Sequence, residues 1–187
     1  MIHEDPDWQP SLRGLWWYAI PLAGSVMRVR AKRRETNGLI ALRSVFLSLV
    51  AALLFFVVPY SFIAPWDGGD ERWVPWTVVV IGIGSLAGVG WIRRRPLPTT
   101  SLEALARSYQ ALFFIGVGVA SAAALWGLAG VFLGGSLWIY LVGLAFGLIG
   151  LWMIAPTRSD IERRQREITA AGSPLSLLDA LISVPRP

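Results

Sequence analysis

The sequence predicts an all-α integral membrane protein with four transmembrane helices, and three observations carry that expectation. The chain contains four apolar runs of membrane-spanning length without a single charged residue. Its charged residues, only 16% of the total against 55% hydrophobic, are confined to the segments between and beside those runs. The basic residues also lie almost entirely in alternate segments, the bias that orients a chain across a bilayer. A mean hydropathy of +0.55 is too high for an ordinary soluble domain. An oily globular core would instead need helices with charged outer faces, and none is written here.

Crossing about 30 Å of hydrocarbon takes roughly 20 residues at 1.5 Å each. The spans are expected at about 44–63, 74–92, 108–133 and 137–155, and none holds Asp, Glu, Lys, Arg or His. Arg43 and Arg107 each lie one residue before a span, placed to snorkel to the headgroups. Pro59 and Pro75 fall near span ends, where a lost backbone bond matters least. This divides the chain into an N-terminal region (1–38), a transmembrane bundle (39–155) and a C-terminal tail (156–187).

Orientation follows from the flanks. The N-terminal region carries Arg13, Arg28, Arg30, Lys32, Arg33 and Arg34; the second loop Arg93, Arg94 and Arg95; the tail Arg158, Arg163, Arg164 and Arg166. The first loop has only Arg72, beside Asp67, Asp70 and Glu71, and the third is Gly134–Gly135–Ser136. The excess of arginine inside places both termini in the cytoplasm and the protein in the cell (inner) membrane. Trp66, Trp73, Trp76 and Trp138 then mark the outer boundary, and Trp91 and Trp152 the inner one. The first 38 residues lack an apolar run followed by a cleavage site, so no secretory signal is expected.

Two cytoplasmic elements stand out. Leu12, Leu15, Trp16, Ala19, Ala23 and Val26 form a helical stripe within Ser11–Met27, read either as an in-plane amphipathic helix bent at Pro21 or as a loose juxtamembrane tail. The cluster Arg28, Arg30, Lys32, Arg33 and Arg34 that follows either orients the chain or also contacts anionic lipid headgroups. In the tail, Ser159–Asp160–Ile161–Glu162 fits a capping box opening a helix to about Ala170, ended by Gly172. Leu175, Leu177, Leu178, Leu181 and Ile182 must then bury against the bilayer, the protein itself or a partner.

Glycine is dense in the last three spans. Gly84–Gly88 and Gly143–Gly147 have small-xxx-small spacing, and with Gly116 they are the expected helix-packing positions, within the bundle or between subunits. The chain also reads as two tandem hairpins: Leu42–Arg43–Ser44 is matched by Ala106–Arg107–Ser108, and Trp76 through Ile92 by Trp138 through Ile154. The repeat would be parallel.

The run Phe113–Phe114–Ile115–Gly116–Val117–Gly118–Val119–Ala120–Ser121–Ala122, through Leu125–Trp126–Gly127–Leu128, is similar to the outer helix of rotary ATPase proteolipid subunits, some of which are duplicated hairpins. That resemblance implies an ion-carrying ring, but Ser121 stands where the family's carboxylate would follow Ala120, and a hydroxyl cannot cycle protons near neutral pH. The stretch from Leu102 to Leu178 resembles uncharacterised four-span membrane proteins of high-GC bacteria, a group that implies no activity.

The chemistry-bearing set is sparse. Ser48, Ser85 and Ser121 are the deep hydroxyls, expected to bond their own helix, and the single histidine is His3, far from any of them. His3–Glu4–Asp5 with Asp7 preforms no metal site, no GxxxxGK[ST] loop exists, and the absence of cysteine removes thiolate chemistry. The basic excess, 17 Lys+Arg against 12 Asp+Glu, sits beside spans, so no nucleic-acid partner is expected. Neither is a cofactor. The expectation is a non-enzymatic multi-pass protein, an accessory or structural subunit of a membrane complex or a self-associating bundle. The alternative is a small oligomeric transporter or channel with a lumen around Ser48, Ser85 and Ser121.

Overall fold

The computed structural model describes Trp8 and residues 38–63, 73–133 and 135–183. Every regular element among the described residues is an α-helix: α1 (Gly38–Phe55), α2 (Val57–Ile63), α3 (Trp73–Arg93), α4 (Leu102–Phe132), α5 (Leu137–Ile154), α6 (Arg158–Ala170) and α7 (Leu177–Ser183). Four stretches are long and apolar enough to cross a membrane: Gly38–Ile63, Trp73–Arg93, Leu102–Phe132 and Leu137–Ile154. Large apolar side chains stand on their outer faces, with Phe62 and Trp152 more than four-fifths exposed. Such surfaces suit lipid and not water.

Local chemistry explains the helix limits. Pro75 lies in the first turn of α3, where its missing N–H has no partner to lose. Pro59 has a larger effect than its position near a span end suggested. It supplies no N–H for the carbonyl of Phe55, and the helix breaks at Phe56, separating α1 from α2. The phenol of Tyr140, fully buried, donates to the Leu53 carbonyl at 2.6 Å beside that break. Helix α4 starts six residues earlier than expected, with the Ser101 hydroxyl accepting from the Ala104 N–H. Its 31 residues make it about 46 Å long, well beyond the hydrocarbon thickness.

The chain forms two compact units. One takes its described residues from Met1–Leu49, Pro96–Ala111 and Ala155–Pro187; the other comprises Val50–Arg95 and Leu112–Ile154. Each unit takes segments from both halves of the chain.

The second unit is held by glycine. Along α4, positions 116, 120, 123, 124 and 127 share one face at helical spacing. They meet α5 in antiparallel order. A Cβ at Gly116 would lie 3.3 Å from Ile154, one at Gly150 3.0 Å from Ala120, and one at Gly147 3.1 Å from Ala124. At Gly143 a Cβ would overlap the Ala123 carbonyl, and at Gly127 it would lie 3.0 Å from the Ile139 carbonyl. At Gly127 and Gly143 the approach is backbone to backbone, and along the whole seam dispersion replaces the hydrophobic effect that lipid cannot supply. On α3, Gly82 makes room for the Phe146 ring and Gly88 meets Val119 at 3.0 Å. Of the glycines singled out in the sequence, Gly88, Gly116, Gly143 and Gly147 each lie where a Cβ would approach a neighbouring helix within 3.3 Å. Gly84 departs from them: a Cβ there would meet nothing within 4 Å, because the residue sits on the exposed face of α3.

These geometries separate two otherwise identical substitutions. Gly143→Ala drives a methyl group into a backbone carbonyl and should cost about 1–3 kcal/mol, the range for overpacking. Gly84→Ala should be neutral or stabilising by up to about 1 kcal/mol, through helix propensity alone. Reversible unfolding in mixed micelles, followed by far-UV circular dichroism, measures both.

Candidate functional site

The polar groups of the first unit converge around the N-terminal part of α1, the start of α4, and the segment Ala155–Ala170. The apolar frame is Leu39, Leu42, Phe46, Leu105, Ala106, Ile161, Ile168, Leu177, Ala180 and Leu181, all buried. Within it lies Arg43, only 1% exposed. The sequence suggested a snorkelling side chain. Instead Arg43 is enclosed, its Nε donating to the Pro156 carbonyl at 3.1 Å and its guanidinium stacked 5.0 Å from the centre of the Trp8 ring. Trp8 in turn meets Phe46 edge-on at 6.1 Å. A buried charge is tolerated on such terms, with a carbonyl dipole and an aromatic face in place of water.

Why Pro156 offers its carbonyl follows from the cap of α6. Thr157 is the N-cap, two residues before the expected Ser159, and its hydroxyl accepts from the Asp160 N–H at 3.3 Å. That donor would otherwise close a turn onto Pro156. Asp160 then pairs with Arg163 at 2.6 Å, and Glu167 with Arg163 at 2.9 Å and with Arg164 at 3.6 Å. Burial pulls the Arg163 guanidinium down, but the hydrogen bond and charge of Asp160, with Glu167, outweigh it and leave the pKa raised. For Arg164, itself buried, burial dominates and lowers the pKa against the pull of Asp160. Tyr109, buried on α4, lies within electrostatic reach of Asp160, Arg164, Arg43 and Arg163. Three guanidinium groups and one carboxylate thus act on one phenol.

A second set of bonds folds the tail back. α6 ends where Gly172 adopts φ +79°, with Gly172 N–H donating to Thr169 and Ser173 N–H to Ile168. This pair of bonds and the left-handed glycine form a Schellman stop. The Gln165 amide then clamps the returning chain at both ends, donating to the Leu175 carbonyl at 3.0 Å and accepting from the Leu177 N–H at 2.7 Å. Ser176 caps α7 through the Asp179 N–H. Leu177, Ala180 and Leu181 are buried, and a Cβ on Gly38 would come within 2.5 Å of the Leu181 carbonyl. Of the three destinations open to these leucines, the protein's own first unit is the one observed.

The other candidate residues are not gathered into a site. Ser48 donates to Ser44 and Ser44 to Ile40, within their own helix as expected. Ser85 and Ser121 are both buried, yet the Ser121 hydroxyl has no hydrogen-bond partner, so the two do not bond each other. Arg28, Arg30, Lys32, Arg33 and Arg34, with the stripe at Ser11–Met27, lie outside the described residues. Among the described residues no three acidic or histidine side chains are placed to hold a metal ion. Sequence reasoning missed Arg43, Tyr109 and Gln165 as a group; the available signal was an arginine followed at once by apolar sequence. No family model, curated protein or solved structure matches the chain.

The cluster predicts where the fold loosens first. Arg43→Met removes the donor to Pro156 and should destabilise by about 1.5–3 kcal/mol, the worth of a hydrogen bond from a charged group. Gln165→Ala should cost about 1–2 kcal/mol, from two neutral bonds. Hydrogen–deuterium exchange should show both changes concentrated in residues 157–182, with α3 and α5 protected as in the parent protein.

Proposed function

We propose that this chain is a non-enzymatic four-helix bundle of the cell (inner) membrane, with both termini cytoplasmic, that serves as an accessory or structural subunit of a membrane complex. One observation carries the reading: the groups that could do chemistry are committed to holding the first unit together. Arg43 holds the Pro156 carbonyl and Gln165 the returning chain before α7, while Asp160, Arg163 and Arg164 are engaged in ion pairs within α6. What remains presented is the outer face of α6, where Arg158, Glu162, Arg166 and Thr169 are exposed on a rigid helix. A prefolded charged helix beside membrane spans suits docking to a partner subunit, since little ordering entropy is lost on binding. Self-association of the bundle is the homo-oligomeric form of the same reading.

A small oligomeric transporter or channel is the second reading, and the Ser121 hydroxyl is the observation that favours it. A buried hydroxyl without a partner in the middle of a span is a costly feature unless something polar visits it.

A tagged copy purified from native membranes in mild detergent should bring down a companion in fixed ratio, and exchanging the charges by Glu162→Arg with Arg166→Glu should release it while the chain stays folded. Recovery of the chain alone, together with solute flux in liposomes that Ser121→Ala abolishes, would favour transport instead. Cysteines introduced singly at Arg94 and Asp70 should label from opposite faces of the membrane; labelling from one face would remove the orientation.

A further inference from the structure

Leu39, Leu42, Arg43 and Phe46 recur at the i, i+3, i+4, i+7 spacing of one helical face. All four are buried, so this face of α1 is covered within the first unit. Three of them are apolar and one is a cation, a combination that apolar packing alone does not satisfy. A residue far back in the chain meets both. Trp8, half-buried, lies with its ring centre 5.0 Å from the Arg43 guanidinium carbon and meets the Phe46 ring edge-on at 6.1 Å.

One indole thus makes two contacts of different kinds. Tryptophan offers the strongest cation-binding face among the aromatic side chains, and tilted aromatic pairs are favoured over stacked ones. Arg43 meanwhile uses an edge on the Pro156 carbonyl, with Nε donating at 3.1 Å. A planar guanidinium can stack and donate at once, which a lysine ammonium could not. Trp8, Arg43, Phe46 and Pro156 all belong to the first unit.

The segment that carries Trp8 suits this destination. Glu4, Asp5 and Asp7 precede it, and no Lys or Arg occurs before Arg13. On the receiving side Arg163 and Arg164 act on the same phenol as Arg43, with Asp160 the opposing charge. The net attraction draws an acidic segment toward the unit. Reach favours the chain's own segment over another molecule's. Residues 9–37 join Trp8 to Gly38, a tether of up to about 100 Å when extended. Gly38 opens α1, and Arg43 lies about 7.5 Å along it. A group tethered this way acts at an effective concentration on the order of millimolar, which a segment from another chain would have to exceed.

We infer that the Arg43–Phe46 face of α1 is a docking socket for the chain's own amino-terminal segment, with Trp8 as the side chain it receives. Docking there joins the amino end, the start of the first span and the Pro156 carbonyl in one set of contacts. It is internal to one chain and does not rest on the subunit reading.

Photocrosslinking of the full chain in lipid nanodiscs tests it. p-Benzoylphenylalanine in place of Trp8 keeps an aromatic ring at the position, and peptide mass spectrometry reads the attachment point after irradiation. Cross-links should include residues 38–49 of the same chain; no attachment there overturns the socket. Mixing isotope-labelled with unlabelled chains identifies the occupant, and mixed-mass cross-links would make it a second copy and overturn the assignment. Hydrogen–deuterium exchange gives an independent readout. Trp8→Ala should speed exchange at residues 42–46 by about tenfold, the scale of one partly desolvated cation–π contact. In an Arg43→Met background the same change should add no more than about threefold, from the Phe46 contact alone. Unchanged exchange in Trp8→Ala, or a full tenfold loss in the Arg43→Met background, overturns the pairing.

Discussion

Helices in a bilayer gain nothing from hiding apolar surface from one another, because the lipid is as apolar as they are. Contact has to come from shape. In the second unit that constraint is met along the α4–α5 seam, where glycine and alanine remove side chains until carbonyls and Cα atoms of the two helices meet. Gly143 occupies a place where a Cβ would collide with the opposing helix, and Gly127, Gly147 and Gly150 places where it would be tightly crowded. The same constraint explains why Phe146 can lie against α3, since Gly82 leaves the space for its ring. It also explains why the outer faces keep Phe62, Val80, Ile115 and Trp152 exposed.

The first unit is organised by the opposite problem, the placement of charge where water is scarce. Arg43 is enclosed in an apolar frame, with the Pro156 carbonyl and the Trp8 indole among its partners. The arrangement depends on the α6 cap. Because the Thr157 hydroxyl takes the Asp160 N–H, the Pro156 carbonyl is left for a donor from α1. Removing one member of such a set leaves another buried polar group unsatisfied, so the members act together. The Gln165 clamp extends this order to α7, and the tail folds as a cap with its leucines inside.

Exposed ion pairs contribute less. Arg107–Glu103 and Arg158–Glu162 lie at helical i,i+4 spacing with both partners largely exposed. Pairs of that kind are worth a few tenths of a kcal/mol and are screened by salt. On α6 the Arg158–Glu162 pair places opposite charges side by side on the outer face, a pattern that selects partners by arrangement more than by net attraction.

The sequence by itself determined the four apolar stretches, because burial in hydrocarbon acts on composition and length, which are local properties. It also determined the Gly172 stop and the tail helix to Ala170, whose causes lie within a few residues. Glycine density and small-xxx-small spacing were legible in the sequence, but which glycines meet a neighbouring helix was not. Gly84 is exposed while Gly82, Gly127 and Gly150 lie at close approaches, since spacing along a helix cannot say which face meets a neighbour. Arg43 and the tail leucines were decided only by tertiary structure. Whether an arginine snorkels or is enclosed depends on a carbonyl 113 residues away. Whether Leu181 meets lipid, self or partner depends on a glycine at the start of α1 that lets two backbones touch.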